Sequence, residues 1–195
     1  MVKAEPKIIV VAGYLAAGKS SFTLRLSSEL GIPYLIKDTF KSALCSIIDI
    51  DNRSESRRFS AVTFDGMMYV CERLLEHGYP LIIEGNFVPA GVKPVDEASV
   101  IRELVDKYHA QSLTFRFQGD IQTLYRRFVE RDKLPERGDA NRAFTDIHFS
   151  NFNTACHNLD TFSIGGEEIV VDTTDFSSVD FEALVNRARE FLAAQ

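Results

Sequence analysis

Residues 7–20 read KIIVVAGYLAAGKS, and the order of residue types in this stretch decides the fold. The run KIIVVA at 7–12 is continuously apolar after its lysine, the pattern of a strand buried on both faces rather than of one with a wet side. Gly13, Gly18, Lys19 and Ser20 then satisfy the spacing G-x-x-x-x-G-K-S/T. Glycines at the first and sixth positions permit backbone angles closed to other residues and let the chain approach an anion closely. Successive backbone N–H groups through Ala16 and Ala17, and the helix start at Lys19, Ser20 and Ser21, form a nest for phosphate oxygens. Lys19 adds a positive charge where β- and γ-phosphates would lie, and the Ser20 hydroxyl suits a Mg²⁺ ligand. A merely decorative glycine turn is the ordinary alternative. The position between a buried strand and an amphipathic segment is the context that sets it aside.

Working outward, residues 19–30 read as a helix with Phe22, Leu26 and Leu30 on one face, stopped by Gly31 and Pro33. Residues 34–36 form a short strand, and Asp38 is expected to cap the helix that follows it. Residues 49–58 (DIDNRSESRR) are expected to be a polar loop, with a helix after it to about residue 77. Residues 80–84 (PLIIE) give a third strand, 85–95 a loop with two Pro and two Gly, and 97–108 a helix. Residues 112–117 alternate as a fourth strand. Asp120 caps a helix to about residue 131, residues 132–145 break all periodicity as a lid, 168–172 form a fifth strand, and a closing helix carries Phe181, Val185 and Ala188. Strands alternating with helices predict a parallel α/β sheet covered on both faces, with ligands beyond the carboxyl ends of its strands.

Acidic residues sit at those ends. Asp38 follows strand two; it serves as a helix cap, as a base that takes a proton from an acceptor hydroxyl, or as both. Glu84 ends strand three in LIIEGN, the place of an acid that holds a Mg²⁺-bound water. Asn86 offers a donor and an acceptor next to it. Residues 121–142 carry six basic side chains among four acidic ones. Arg127 and Arg131, four apart, share a face opposite Ile121, Leu124 and Phe128. A solvated charged face explains such a pattern without function. The stretch DKLPERGDANR behind it, with Arg137, instead suits a lid whose arginines neutralise charge on a transferring phosphoryl group.

The 195 residues are enough for one domain with a small insertion, and 45 % hydrophobic and 26 % charged residues are ordinary for a globular chain. No apolar run is long enough for a transmembrane helix, and the start does not resemble a signal peptide, so a cytoplasmic protein without membrane contact is expected. Cys45, Cys71 and Cys156 have no zinc spacing and read as free thiols of a reducing compartment. The four histidines share no spacing with other ligand types and read as surface or helix-end residues. Phe144, Phe149 and Phe152 read first as packing residues and second as the lining of a pocket. A net charge of −6 does not suggest a broad nucleic-acid surface, though it leaves room for a local groove.

The order GYLAAGKS, KD after strand two, IIEGN after strand three, RxxxR before an arginine-bearing lid, and VVDTT near the end resembles the P-loop kinase branch of small AAA-type ATPases. Polynucleotide kinase, chloramphenicol phosphotransferase and zeta-toxin kinases are the similar groups. The resemblance spans roughly the whole chain. It implies a three-layer P-loop NTPase sandwich, a five-stranded parallel sheet of order 2-3-1-4-5 with a helical lid, and MgATP-dependent phosphorylation of a hydroxyl. It carries Gly13, Gly18, Lys19 and Ser20 to the phosphate and Mg²⁺ positions and Asp38 to the acceptor-activating aspartate. Glu84 falls at a substrate-side acid, Arg127, Arg131 and Arg137 at lid positions, and Thr173 and Thr174 at a loop bordering the adenine. Glu84-Gly85-Asn86 stands where monophosphate kinases show Asp-Gly, which turns the expectation away from that group, and Arg137-Gly138 stands where the lid usually shows an Arg-His pair, which leaves open which lid arginine acts. The expected acceptor is a hydroxyl of a small molecule or nucleotide-type compound. A 5′-hydroxyl polynucleotide kinase, with Lys37, Lys41, Arg53, Arg57 and Arg58 as its basic groove, is one alternative. A nucleotide switch with no acceptor is another, and it predicts that Asp38 is buried away from any cleft. The absence of an N/T-K-x-D motif favours ATP over GTP.

Overall fold

The computed structural model describes residues 5–47, 53–89, 91, 93–133 and 148–194. Five strands, β1 (Lys7–Gly13), β2 (Tyr34–Ile36), β3 (Leu81–Glu84), β4 (Gln111–Gln118) and β5 (Glu167–Asp172), form one sheet of order β2-β3-β1-β4-β5. Every pairing is parallel. Seven α-helices are found among the described residues: α1 (Lys19–Leu30), α2 (Lys37–Leu44), α3 (Arg53–Glu76), α4 (Glu97–Tyr108), α5 (Ile121–Asp132), α6 (Phe149–His157) and α7 (Phe181–Ala193). None of the described helices is long and apolar enough to cross a membrane.

The continuous apolar run in β1 has a direct cause. Ile9 and Val11 face one helical layer with Phe22, Leu26, Leu124, Phe128, Phe152, Val185 and Ala188. Ile8, Val10 and Ala12 face the other, with Phe64, Met67, Cys71 and Ile101. Side chains of a strand alternate between faces, so a strand covered on both sides has no place for a polar residue. The exception, Lys7, is buried at the start of β1 and donates to the carbonyls of Phe191 (2.8 Å) and Leu192 (3.1 Å) and to that of Ala194. It thereby satisfies orphan acceptors at the end of α7, where a cation also suits the helix dipole.

Two expectations are corrected. Residues 53–58 are the first turns of α3, not loop. Ser56 is buried there and accepts a hydrogen bond of 2.6 Å from the Lys41 ammonium, so a tertiary contact draws a polar stretch into the helix. Residues 149–157 form α6, for which no helix was expected. FSNFNTACH is poor in strong helix formers, and burial of Phe152 and Cys156 stabilises it instead. Phe152 is thus a core residue, while Phe149 is exposed and meets Tyr125 edge-on at 5.3 Å between ring centroids. Phe144, and the expected lid except residues 132 and 133, lie outside the described residues. By contrast, Asp120 caps α5 as expected, accepting from the Thr123 N–H at 2.8 Å.

Candidate active site

The turn from β1 to α1 lies at the carboxyl edge of the sheet, between β3 and β4. Gly13 has φ +114°, and a Cβ there would stand 2.0 Å from the Phe117 carbonyl oxygen, so only glycine fits. Gly18, at φ +88°, has the Phe176 ring against it and occupies the N-cap position of α1 without a side-chain cap. The N-terminal N–H groups of α1 therefore have no side-chain acceptor of the usual kind, the arrangement from which anion sites are made. Ala16, at φ +58°, is held in the left-handed region that non-glycine residues seldom adopt. Ala17 is buried, and Ser20 and Ser21 are exposed.

Lys19 is buried and folds back over the loop, donating to the carbonyls of Gly13 (3.0 Å) and Tyr14 (2.6 Å). Burial pushes its ammonium below the ordinary lysine range, and the charges of Glu84 and Asp38 counter that shift. The Ser20 hydroxyl donates to the Glu84 carboxylate at 2.9 Å. Burial pushes the Glu84 carboxyl above its ordinary range, opposed first by the charge of Lys19. A hydroxyl and a carboxylate held together at a phosphate nest form a hard oxygen pair that fits Mg²⁺, which keeps several waters and needs few protein ligands.

Asp38 lies in the first turn of α2, one residue inside the helix. The N-cap position is Ile36, which makes no side-chain cap bond, so the expected capping role is corrected. The carboxylate is exposed, and its charge reaches both Lys19 and Glu84. Asn86 follows Glu84 by two residues, and its side-chain oxygen is buried without a partner among the described residues. Beneath Asp38, Lys37 forms a buried ion pair with Glu97. Lys37 and Lys41 are therefore both internal. Neither offers surface charge to a polyanion, while Arg58 is exposed and the side chains of Arg53 and Arg57 lie outside the described residues.

The two described arginines that the resemblance assigns to lid positions both lie on α5, and they part ways. The charge of Arg131 acts weakly on both Lys19 and Glu84, so it lies on the same side of the sheet as the loop. Arg127 instead donates to the carbonyls of Thr173 (2.5 Å) and Thr174 (2.9 Å), and its guanidinium lies 4.1 Å from the centre of the Phe176 ring. Arg137 falls outside the described residues. Thr173 is fully buried and donates its hydroxyl to the Gln118 carbonyl at 3.0 Å, so the loop after β5 turns Thr174 and Phe176 outward in its place. The structure thus gathers Gly13, Gly18, Lys19, Ser20, Asp38, Glu84 and Arg131 around one edge and leaves Arg127 and the Thr173 side chain aside. Sequence reasoning missed Phe176, which faces Gly18 but stands in a polar stretch without pattern. It also missed Tyr14 and Asp160, joined by a hydrogen bond across 146 residues.

No protein-family model matches the chain, and no curated protein matches its sequence. Solved structures do. A candidate kinase from Chloroflexus aurantiacus j-10-fl superposes with a TM-score of 0.83 at 23 % identity, covering 95 % of this chain and 98 % of its own. Shikimate kinase from Bacteroides thetaiotaomicron gives 0.58 at 14 % identity, covering 96 % and 99 %. A gluconokinase from Sinorhizobium meliloti 1021 gives 0.56 at 17 % identity, covering 97 % and 93 %. With the strand order and the loop geometry, these likenesses show that the chain has the P-loop kinase-like NTPase fold.

Proposed function

We propose that this protein is an ATP-dependent kinase that moves the γ-phosphoryl group to a hydroxyl of a small molecule, with Asp38 as the base. The observation that carries the reading is the exposed carboxylate of Asp38, whose field reaches Lys19 and Glu84 at the mouth of the phosphate loop. A carboxylate so placed and free of helix capping suits an acceptor hydroxyl better than a structural role. The kinase names of the similar structures point the same way. A nucleotide switch without an acceptor would be expected to bury Asp38.

In this reading the nest from Gly13 to Ser21 and the Lys19 ammonium hold the β- and γ-phosphates. Ser20 and Glu84 would hold Mg²⁺, which supplies charge neutralisation on the phosphate oxygens. Phe176 and Arg127, stacked beside Gly18, give flat surfaces for the adenine. Asp38 takes the acceptor's proton as the acceptor oxygen bonds to the γ-phosphorus. The bond from that phosphorus to the β,γ-bridging oxygen breaks, and ADP leaves. Arg131, and Arg137 from the segment before α6, would offset charge on the transferring group. The Asn86 oxygen, lacking a partner, would accept from a second hydroxyl of the acceptor.

The test is acceptor-dependent ADP release across a panel of sugars, polyols, nucleosides and 5′-hydroxyl oligonucleotides. Asp38→Asn should keep MgATP affinity and lose about 10²- to 10⁴-fold in turnover with any acceptor found. Turnover equal to wild type would remove Asp38 from the chemistry. Slow hydrolysis alone, unaffected by any acceptor, would return the switch.

A further inference from the structure

Tyr14 stands in the phosphate loop, one residue after Gly13, yet its bonds run to the far side of the chain. Its backbone N–H donates to the Phe117 carbonyl at 2.8 Å, and its carbonyl receives the Lys19 ammonium at 2.6 Å. Its ring is buried, and its hydroxyl donates to Oδ1 of Asp160 at 2.5 Å. The other oxygen, Oδ2, faces Nδ1 of His157 at 2.9 Å, and the His157 ring meets the Tyr14 ring edge-on at 6.1 Å. The loop residue Tyr14 is thus held by the end of α6 and the turn after it. Burial works against the Asp160 charge, but the hydrogen bonds of Tyr14 and His157 and the charge of Arg116 on β4 more than offset it. Asp160 therefore stays an ionised acceptor for the tyrosine.

We propose that Tyr14 and Asp160 are positioning residues for the triphosphate, their hydrogen bond fixing the loop carbonyls on which Lys19 docks, with His157 orienting Asp160. The proposal rests on the nucleotide reading of the site and goes beyond it. The loop contains Ala16 in a left-handed conformation, which must be held by its surroundings. With the Tyr14 side chain tied down, the ordering of the loop is met on folding. Without the tie, that ordering falls on the binding step and weakens affinity. Both Asp160 and His157 have partly exposed side chains, so the network adds little to global stability. Affinity, not melting temperature, is where its loss is read.

The experiment is calorimetric titration of MgATP, and of Mg²⁺ with the non-hydrolysable adenylyl imidodiphosphate, into wild type, Tyr14→Phe, Asp160→Ala, Asp160→Asn and the Tyr14→Phe/Asp160→Ala pair. Tyr14→Phe and Asp160→Ala should each raise Kd about two- to tenfold. The double variant should be no weaker than the worse single one. Asp160→Asn, which keeps an acceptor oxygen, should recover most of the affinity. Wild-type affinity in both single variants, or losses that simply add, would overturn the positioning role. Wild type that binds neither nucleotide would overturn the nucleotide reading itself, and this proposal with it. Asp160→Ala lies in a turn outside the core, so it remains informative if Tyr14→Phe folds poorly.

Discussion

Glu84 carries two demands that pull against each other. It is buried, which favours its neutral form, yet the proposed Mg²⁺ role needs its anion. Its folded-state pKa is raised, so ionisation costs more in the fold than in the unfolded chain. The stability it contributes is therefore largest when it is protonated and is lost as pH rises through the raised value. Mg²⁺ competes with that same proton. Mg²⁺-dependent nucleotide affinity should accordingly fall as pH is lowered, beginning above the ordinary carboxylate value of 4.5. Glu84→Gln should flatten that dependence and raise the melting temperature of the nucleotide-free protein at neutral pH. Nucleotide titrations at fixed Mg²⁺ across pH 5–8, with melts of both proteins, check it; a pH dependence that survives in Glu84→Gln would assign it elsewhere. At this scale the sequence was informative where the chemistry is local. Gly13, Gly18, Lys19 and Ser20 fall within one turn, so their spacing alone places them. Thr173 misled because a residue next to a ligand loop is not thereby turned toward it; its hydroxyl is used by Gln118.

The proposed acceptor side is assembled by whole elements, and a buried ion pair joins two of them. Lys37 opens α2, Glu97 opens α4, and the two meet 60 residues apart in sequence. Glu97 also accepts from the Val88 N–H at 3.2 Å, and the Lys37 ammonium lies 5.2 Å from the centre of the Phe64 ring on α3. Asp38 is the next residue on α2, so this pair sets where that helix begins. Removing one partner leaves an uncompensated buried charge, and Glu97→Leu or Lys37→Met should cost about 3–5 kcal/mol. Replacing both together with Met and Leu should recover much of that loss, since the desolvation burden disappears with the charges. Urea melts of the four proteins decide it, and additive single losses would show that the pair is not coupled. None of this was legible beforehand. Most helices and strands are readable from periodicity, because their apolar residues face a layer. The start of α3 and all of α6 are not, because Ser56, Phe152 and Cys156 are drawn in by partners distant in sequence.

The sheet makes the phosphate loop part of the molecule's centre rather than an appendage. β1 lies between β3 and β4, and the loop leaving it is fixed across the edge by Tyr14 to Phe117 and by Ser20 to Glu84. At the other end of the same strand, Lys7 closes the last helix. A ligand in that loop therefore binds a surface that exists only when both helical layers are in place. Such a ligand stabilises the native state by mass action, about 2.7 kcal/mol at a hundred times its Kd. For a chain of this size each kcal/mol is worth roughly 2–4 °C. Saturating MgATP should thus raise the melting temperature by about 5–10 °C. Lys19→Ala should abolish most of the rise if its ammonium meets the β- and γ-phosphates as proposed. Asp38→Asn should leave the rise intact, because its proposed role begins after nucleotide binding. Thermal melts of the three proteins with and without MgATP separate binding from transfer before any acceptor is known. A wild-type melt unmoved by saturating MgATP would take the nucleotide out of the site, and an Asp38→Asn melt that lost the rise would move Asp38 from the acceptor to the phosphates.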